Sequence, residues 1–314
     1  MKLQTQIPLK KAENQIDYNS QLVVLGSCFA NNIGDKLAYY KFRALQNPFG
    51  VLFHPLAIEN LISRAIQEES YTEEEVFFLN ERWQCFDAHS DLSSVAIEDL
   101  LGSLNSGLSK TKLYINKASH IFITLGTAWT YQLKESGKEV ANCHKVPQLA
   151  FKKELLSIEK IVQSLEAIVH QIQTINTKTQ IVFTVSPVRH LKDGFVENQL
   201  SKAHLISAVH QIIKKGNALY FPSYELMMDE LRDYRFYGND LVHPNDLAIT
   251  YIWEKFVSVW IAQEAWPTMV KVAAVQSGLN HRPFNPESLK HQEFLKALDQ
   301  KITYLQKKYP YMKF

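Results

Sequence analysis

Three side chains in this 314-residue chain have the types and surroundings of a nucleophilic site. Ser27 lies in Leu25-Gly-Ser-Cys-Phe-Ala30, directly after the apolar run Gln21-Leu-Val-Val-Leu-Gly26. The residues that follow, Asn31 to Tyr40, place Ile33, Leu37 and Tyr40 on helical spacing. A serine where a strand hands over to a helix combines an exposed hydroxyl, a free backbone N–H and the positive end of a helix dipole. All three favour a serine nucleophile, because negative charge develops beside them. The same position also suits an ordinary helix cap. Asp240 and His243 stand three apart in Tyr237-Gly-Asn-Asp-Leu-Val-His-Pro-Asn245, just before the last long amphipathic stretch. A base must take the serine proton, and an acidic group must fix that base's tautomer. One loop supplies both. A single D-x-x-H is common by chance, and its position after a strand–Gly–Ser–helix turn is what gives it weight.

Other residues have two readings each. His89 and His144 sit in polar loops near Asp87 and Asn142, where they either line a substrate pocket or satisfy local structure. Arg189 follows a strong strand and could hold a carboxylate or phosphate; pairing with Asp193 or anchoring a loop is the plainer role. Trp129 and Tyr131 could wall a sugar ring or pack into the core. The eleven histidines show no H-x-x-x-H or HExxH spacing, so neither a metal nor another cofactor is expected. Cys28, one residue into the helix, reads as a small buried hydrophobe rather than a rival nucleophile.

The elements that must position these groups alternate. Gln21 to Gly26, His120-Ile-Phe-Ile-Thr-Leu-Gly126, Gln180-Ile-Val-Phe-Thr-Val185 and Ala218-Leu-Tyr-Phe221 are apolar without alternation, as in the middle of a parallel sheet. Between them, Lys152 to Ile172, Glu197 to Lys214 and Ala248 to Ala262 carry apolar stripes at helical spacing. That rhythm predicts an α/β/α sandwich with its site at the carboxyl edge of a parallel sheet. We expect one domain over 1–266, with a small hairpin inserted at about 74–94. A helical extension over 267–314 should pack on it.

Hydrophobic residues make up 46% and charged residues 21%, a globular balance that excludes a disordered or coiled-coil chain. A net charge of +2 gives no reason to expect a nucleic-acid partner or a membrane surface. No apolar run reaches the ~18 residues of a spanning helix, and no secretory leader is visible at the amino terminus. Three widely spaced cysteines suit reduced thiols, and a cytoplasmic location is the expectation.

Together these blocks resemble the SGNH/GDSL hydrolase superfamily. Gly26-Ser-Cys-Phe-Ala30 resembles more closely the motif of the GSCFA family. The resemblance runs from about Leu22 to Phe256 and takes in Asn47-Pro-Phe-Gly50, Leu125-Gly-Thr-Ala-Trp129, Ala141-Asn-Cys-His-Lys-Val-Pro147 and Ser186-Pro-Val-Arg-His190. It implies a flavodoxin-like three-layer fold and serine-dependent cleavage or transfer of an acyl group. The substrate would be a small polar ester, with an O-acetylated carbohydrate the favoured class. Ser27 would be the nucleophile, and Asp240 and His243 its partners. The backbone N–H groups of Ser27 and Gly50 would form an oxyanion hole. The asparagine that the superfamily adds from its third block is missing from Gly126-Thr-Ala-Trp129. Thr127, Asn142 and His144 are the candidate replacements. That gap sustains an alternative, a ligand-binding member without turnover.

Overall fold

The computed structural model describes residues 4–314. The first three residues of the amino-terminal segment read above for a leader lie outside them. In chain order the strands are β1 (Gln21–Gly26), β2 (Arg43–Gln46), β3 (Phe77–Leu79), β4 (Arg82–Gln84), β5 (His120–Leu125), β6 (Trp129–Leu133), β7 (Glu139–Val140), β8 (Phe151–Leu155), β9 (Gln180–Val185) and β10 (Leu219–Tyr220). The helices are α1 (Cys28–Tyr39), α2 (Pro55–Gln67), α3 (Ile97–Lys117), α4 (Ile158–Ile175), α5 (Phe195–Lys214), the single turn α6 (Ser223–Glu225), α7 (Asp246–Trp260), α8 (Trp266–Leu279) and α9 (Leu289–Lys308).

Five strands form one parallel sheet in the order β10-β9-β5-β1-β2. This is the flavodoxin-like order, and its direction reverses between β1 and β5. Side chains alternate across the sheet. Val23, Leu25, Ile121, Ile123, Ile181 and Phe183 therefore pack against α2, α3, α4 and α5. Their neighbours Leu22, Val24, Phe122 and Val182 pack against α1, α7, α8 and α9. Burial on both faces is why these strands are apolar throughout. The extension docks through Leu298, Leu305 and Met312, all buried. Its Tyr311 hydroxyl donates to Tyr18 O (2.6 Å).

The inserted hairpin is β3 and β4. A second small sheet runs in the order β7-β6-β8. The helix expected from Lys152 begins at Ile158, because Ser157 caps it by accepting Lys160 N–H (3.2 Å). The preceding Phe151-Lys-Lys-Glu-Leu155 pairs with β6 instead. Its Phe151 and Leu155 fit a strand face as well as a helical stripe, and the cap decides between them. No helix of the described residues is long and apolar enough to cross a membrane.

Candidate active site

β1 ends at Gly26, whose φ of +123° and closeness to β5 exclude a side chain: a Cβ there would stand 2.0 Å from Thr124 O. This close approach places Ser27 at the reversal point, between the carboxyl ends of β1 and β5. Ser27 is wholly buried, where the sequence context predicted an exposed hydroxyl. It occupies the N-cap position of α1, yet its side chain makes no capping bond. Its Oγ has no partner. An unpaired buried hydroxyl costs ~1–3 kcal/mol, so the plain-cap reading fails and the arrangement needs another reason.

The neighbourhood of Ser27 is tightly specified. Gly126, after β5, has no side chain, and a Cβ there would lie 3.0 Å from Ser27 Cβ, 3.0 Å from Phe53 O and 3.3 Å from His190 Nε2. His190, after β9, is thus brought against Ser27 across the bare Gly126. Its Nε2 is buried and also unpartnered. Burial, and then the charge of Lys202, push the imidazole down to about 3. It is neutral at ordinary pH.

Lys202 explains part of this order. It is fully buried on α5 with Nζ donating to Gly126 O and Ser186 O, both 2.7 Å away. These carbonyls follow β5 and β9, so the ammonium ties the two strand ends together. Burial pushes Lys202 down to about 7. The next groups on the same helix face serve the same edge. Ser201 Oγ meets Thr127 Oγ1 (3.0 Å) and accepts Ala128 N–H (2.7 Å). Asn198 Oδ1 accepts His190 N–H (2.8 Å).

Asp240 and His243 form a pair of their own. His243 Nδ1 donates to Asp240 Oδ2 (2.7 Å), while Asp240 Oδ1 accepts the N–H groups of Val242 (2.9 Å) and His243 (3.0 Å). Those backbone donors, and then the imidazole, hold the Asp240 carboxyl well below the usual carboxylate range. Both side chains are about half exposed. The bond fixes the tautomer that leaves His243 Nε2 free to act as a base. The charge of protonated His243 reaches His190 and disfavours its protonation. The expected hydrogen bond from Ser27 to His243 is not formed, since Ser27 Oγ has no partner at all.

Several other expectations are corrected. Ser27 N–H donates to Thr124 O (3.0 Å), and Gly50 N–H closes a turn onto Asn47 O (2.8 Å). Neither points free into a pocket. Gly50 has φ +70° and the Cβ of His89 lies 2.4 Å from where its own would be, so glycine is required there by packing. His89 accordingly braces this turn and does not line the cleft. Thr127 Oγ1 accepts Trp129 N–H (3.0 Å) besides meeting Ser201 Oγ, so local partners hold its oxygen. Arg189 does not line the cleft either. Its guanidinium donates to Leu241 O (3.2 Å) and lies over the Tyr237 ring, anchoring the loop that carries Asp240 and His243.

A cleft of about 910 Å³ begins at Phe53, Thr127 and His190 and extends past Trp129, Asn142 and His144. Asn142 Oδ1 accepts His144 N–H (2.9 Å). His144 donates Nε2–H to Cys85 O (2.7 Å), which leaves Nδ1 as an unpaired acceptor facing no donor. Burial pushes this imidazole down, which disfavours the protonated form that could donate from both ring nitrogens. One face of Trp129 is covered by Lys153, 4.4 Å from the ring centre. Burial raises the Cys28 thiol, which keeps it protonated and a poor nucleophile. Among the described residues no group of three or more His, Cys, Asp or Glu could hold a metal.

The fold and this edge define a three-layer α/β/α protein with a buried serine at the reversal point of a flavodoxin-like sheet. The chain belongs to the GSCFA family, whose model matches residues 21–256. A second model, the C-terminal domain of GSCFA domain proteins, matches residues 272–314. No curated protein matches the chain.

Two of the groups at this edge, His190 and Lys202, were not assigned a role from the sequence. The signal for Lys202 was present. Carried backward, the stripe Leu205, Ala208, Val209, Ile212 passes through Lys202, Ser201 and Asn198, polar residues in the buried register of α5.

Proposed function

We propose that this protein is a serine-dependent acyl hydrolase or transferase of the SGNH/GDSL type. Its substrate would be a small polar ester, with an O-acetylated carbohydrate the favoured class. The observation that carries this reading is Ser27 Oγ: a buried hydroxyl, at the sheet's reversal point, that neither caps its helix nor pairs with any other group. In the reaction Ser27 Oγ attacks the ester carbonyl carbon and passes its proton to His243 Nε2. The carbonyl electron pair becomes an oxyanion. The carbon–oxygen bond of the leaving alcohol then breaks, and His243 returns the proton to that oxygen. Water, or an acceptor hydroxyl, repeats the cycle in reverse on the acyl-serine. Asp240 holds the imidazole tautomer throughout. The polar walls of the cleft, Asn80, Gln84, Asn142 and Gln148 among them, suit a hydroxyl-rich substrate.

Turnover of p-nitrophenyl acetate by the wild type and by Ser27→Ala tests the proposal. Activity lost on substitution supports it. Equal rates, or no turnover of this and other short esters by the wild type, would remove it. The second reading, a binding protein without turnover, draws on the absent Ser27–His243 bond and on the engaged N–H groups of Ser27 and Gly50. It predicts ligand binding with no ester cleavage.

A further inference from the structure

We infer that His190 is the catalytic donor that takes the place of the absent third-block asparagine, its Nε2–H receiving the negative charge that forms next to Ser27. The inference rests on the acyl-transfer reading above. It goes beyond that reading by assigning the oxyanion contact to a residue outside the Ser27, Asp240 and His243 set.

The geometry leads there. A tetrahedral oxyanion in a dry site needs preorganised donors. The backbone N–H groups of Ser27 and Gly50 are engaged, Thr127 Oγ1 meets Ser201 and Trp129 N–H, and the one unpaired ring nitrogen of His144 is an acceptor. His190 Nε2 is free. It and Ser27 Cβ lie 3.3 Å and 3.0 Å from one point, the vacant Cβ position of Gly126, and both Nε2 and Ser27 Oγ are buried without partners. Two unpaired buried polar groups of this kind would only destabilise a purely structural edge. A reacting group entering between them satisfies both. His190 also lines the cleft.

The ring is held for this task. Asn198 Oδ1 fixes its backbone, and Phe53 meets it edge-on with ring centres 5.5 Å apart. Lys202 stands behind the strand ends, and its charge together with burial keeps the imidazole neutral. A neutral imidazole so hard to protonate is a poor proton acceptor for serine. It still has one N–H to donate, and no bond on Nε2 prevents the proton from residing there. The division of labour follows. Ser27 forms its bond to the carbonyl carbon and its proton goes to His243. The carbonyl electron pair moves onto oxygen and is met by His190 Nε2–H, which keeps its proton.

The test uses the full chain and an alkyl fluorophosphonate, which forms an Oγ–P bond at an activated serine with loss of fluoride and places charge on a phosphoryl oxygen. Labelling rates are read for the wild type, His190→Ala and His190→Gln, with melting temperatures to confirm folding. Glutamine retains an N–H donor and cannot act as a base. We expect His190→Ala to slow labelling of Ser27 by ~10²–10³-fold, the loss of one oxyanion donor. We expect His190→Gln to lie within ~10-fold of wild type. Near wild-type labelling of a folded His190→Ala overturns the inference alone. Abolition in both variants also overturns it, since His190 would then be the base. A wild type that does not label removes the acyl-transfer reading together with it. Should His190→Ala fail to fold, His190→Phe, which keeps the ring packing against Phe53, serves in its place.

Discussion

The two halves of the proposed site are built in opposite ways. The half at Ser27, Gly126 and His190 is buried, backed by the fully enclosed Lys202, and carries two polar atoms with no partner. The half at Asp240 and His243 is about half exposed, joined through His243 Nδ1 and Asp240 Oδ2, and sits on a turn held by Arg189. The contrast separates two needs of acyl transfer. Charge stabilisation requires a dry, fixed place whose groups are left unsatisfied until the reaction supplies their partner. Proton transfer requires a base with the correct tautomer and a route to exchange its proton with solvent. On the proposed function, the first would fall to the sheet edge and the second to a surface loop.

That comparison fails first at the serine. Ser27→Ala should lower ester turnover about 10⁴-fold or more, as for other nucleophile deletions, with the fold intact because no hydrogen bond is lost. Steady-state rates with p-nitrophenyl acetate measure it, and a small loss would mean that the buried half does no chemistry. Asp240→Asn comes next, at about 10³-fold, because the amide can no longer fix the His243 tautomer. A loss below ~10-fold would mean that the exposed half is dispensable. Gly126→Ala places a methyl group between Ser27 and His190, where three atoms would lie within 3.3 Å of it. We expect about 10²-fold lower kcat, since small misplacements at a reacting centre cost that much, and a stability loss of ~1–3 kcal/mol from overpacking. Unchanged kcat would show that the space between the two side chains is not used.

The smallest effect concerns Lys202. Its folded value, about 7, lies below the ordinary lysine value. The folded state therefore carries the full cost of a buried ammonium below pH 7. As pH rises from 7 toward about 10.4, the folded chain sheds the proton before the unfolded chain does, and stability climbs. Melting temperatures of wild type and Lys202→Met should diverge by about 3 °C or more between pH 6 and pH 9, with the wild type gaining. Parallel curves would show that the lysine is not held in the dry half.

How much of this could be read from residues alone differs between the same two halves. The sheet was legible because burial on both faces forces continuous apolar runs such as Gln21 to Gly26. The Asp240–His243 pair was legible because its members are three apart in one loop. The buried half was legible only at Ser27. His190 and Lys202 reach it from different elements, and no local spacing records that the bare Gly126 lets His190 close on Ser27. The oxyanion assignments at Gly50 and Thr127 failed for a related reason: a backbone N–H or hydroxyl is free only if nothing across the fold claims it. Asn47 O and Ser201 do so here. The start of α4 was misplaced because Phe151 to Leu155 fits both periods, and only the Ser157 cap separates them.

The central claim is that Ser27 is the nucleophile of a preorganised buried edge. Peptide mass mapping after reaction with the alkyl fluorophosphonate tests it most directly. The account predicts a single adduct on the peptide containing Ser27, absent from Ser27→Ala and retained when Cys28 is replaced by alanine. An unmodified wild type, or an adduct that persists in Ser27→Ala, would contradict it.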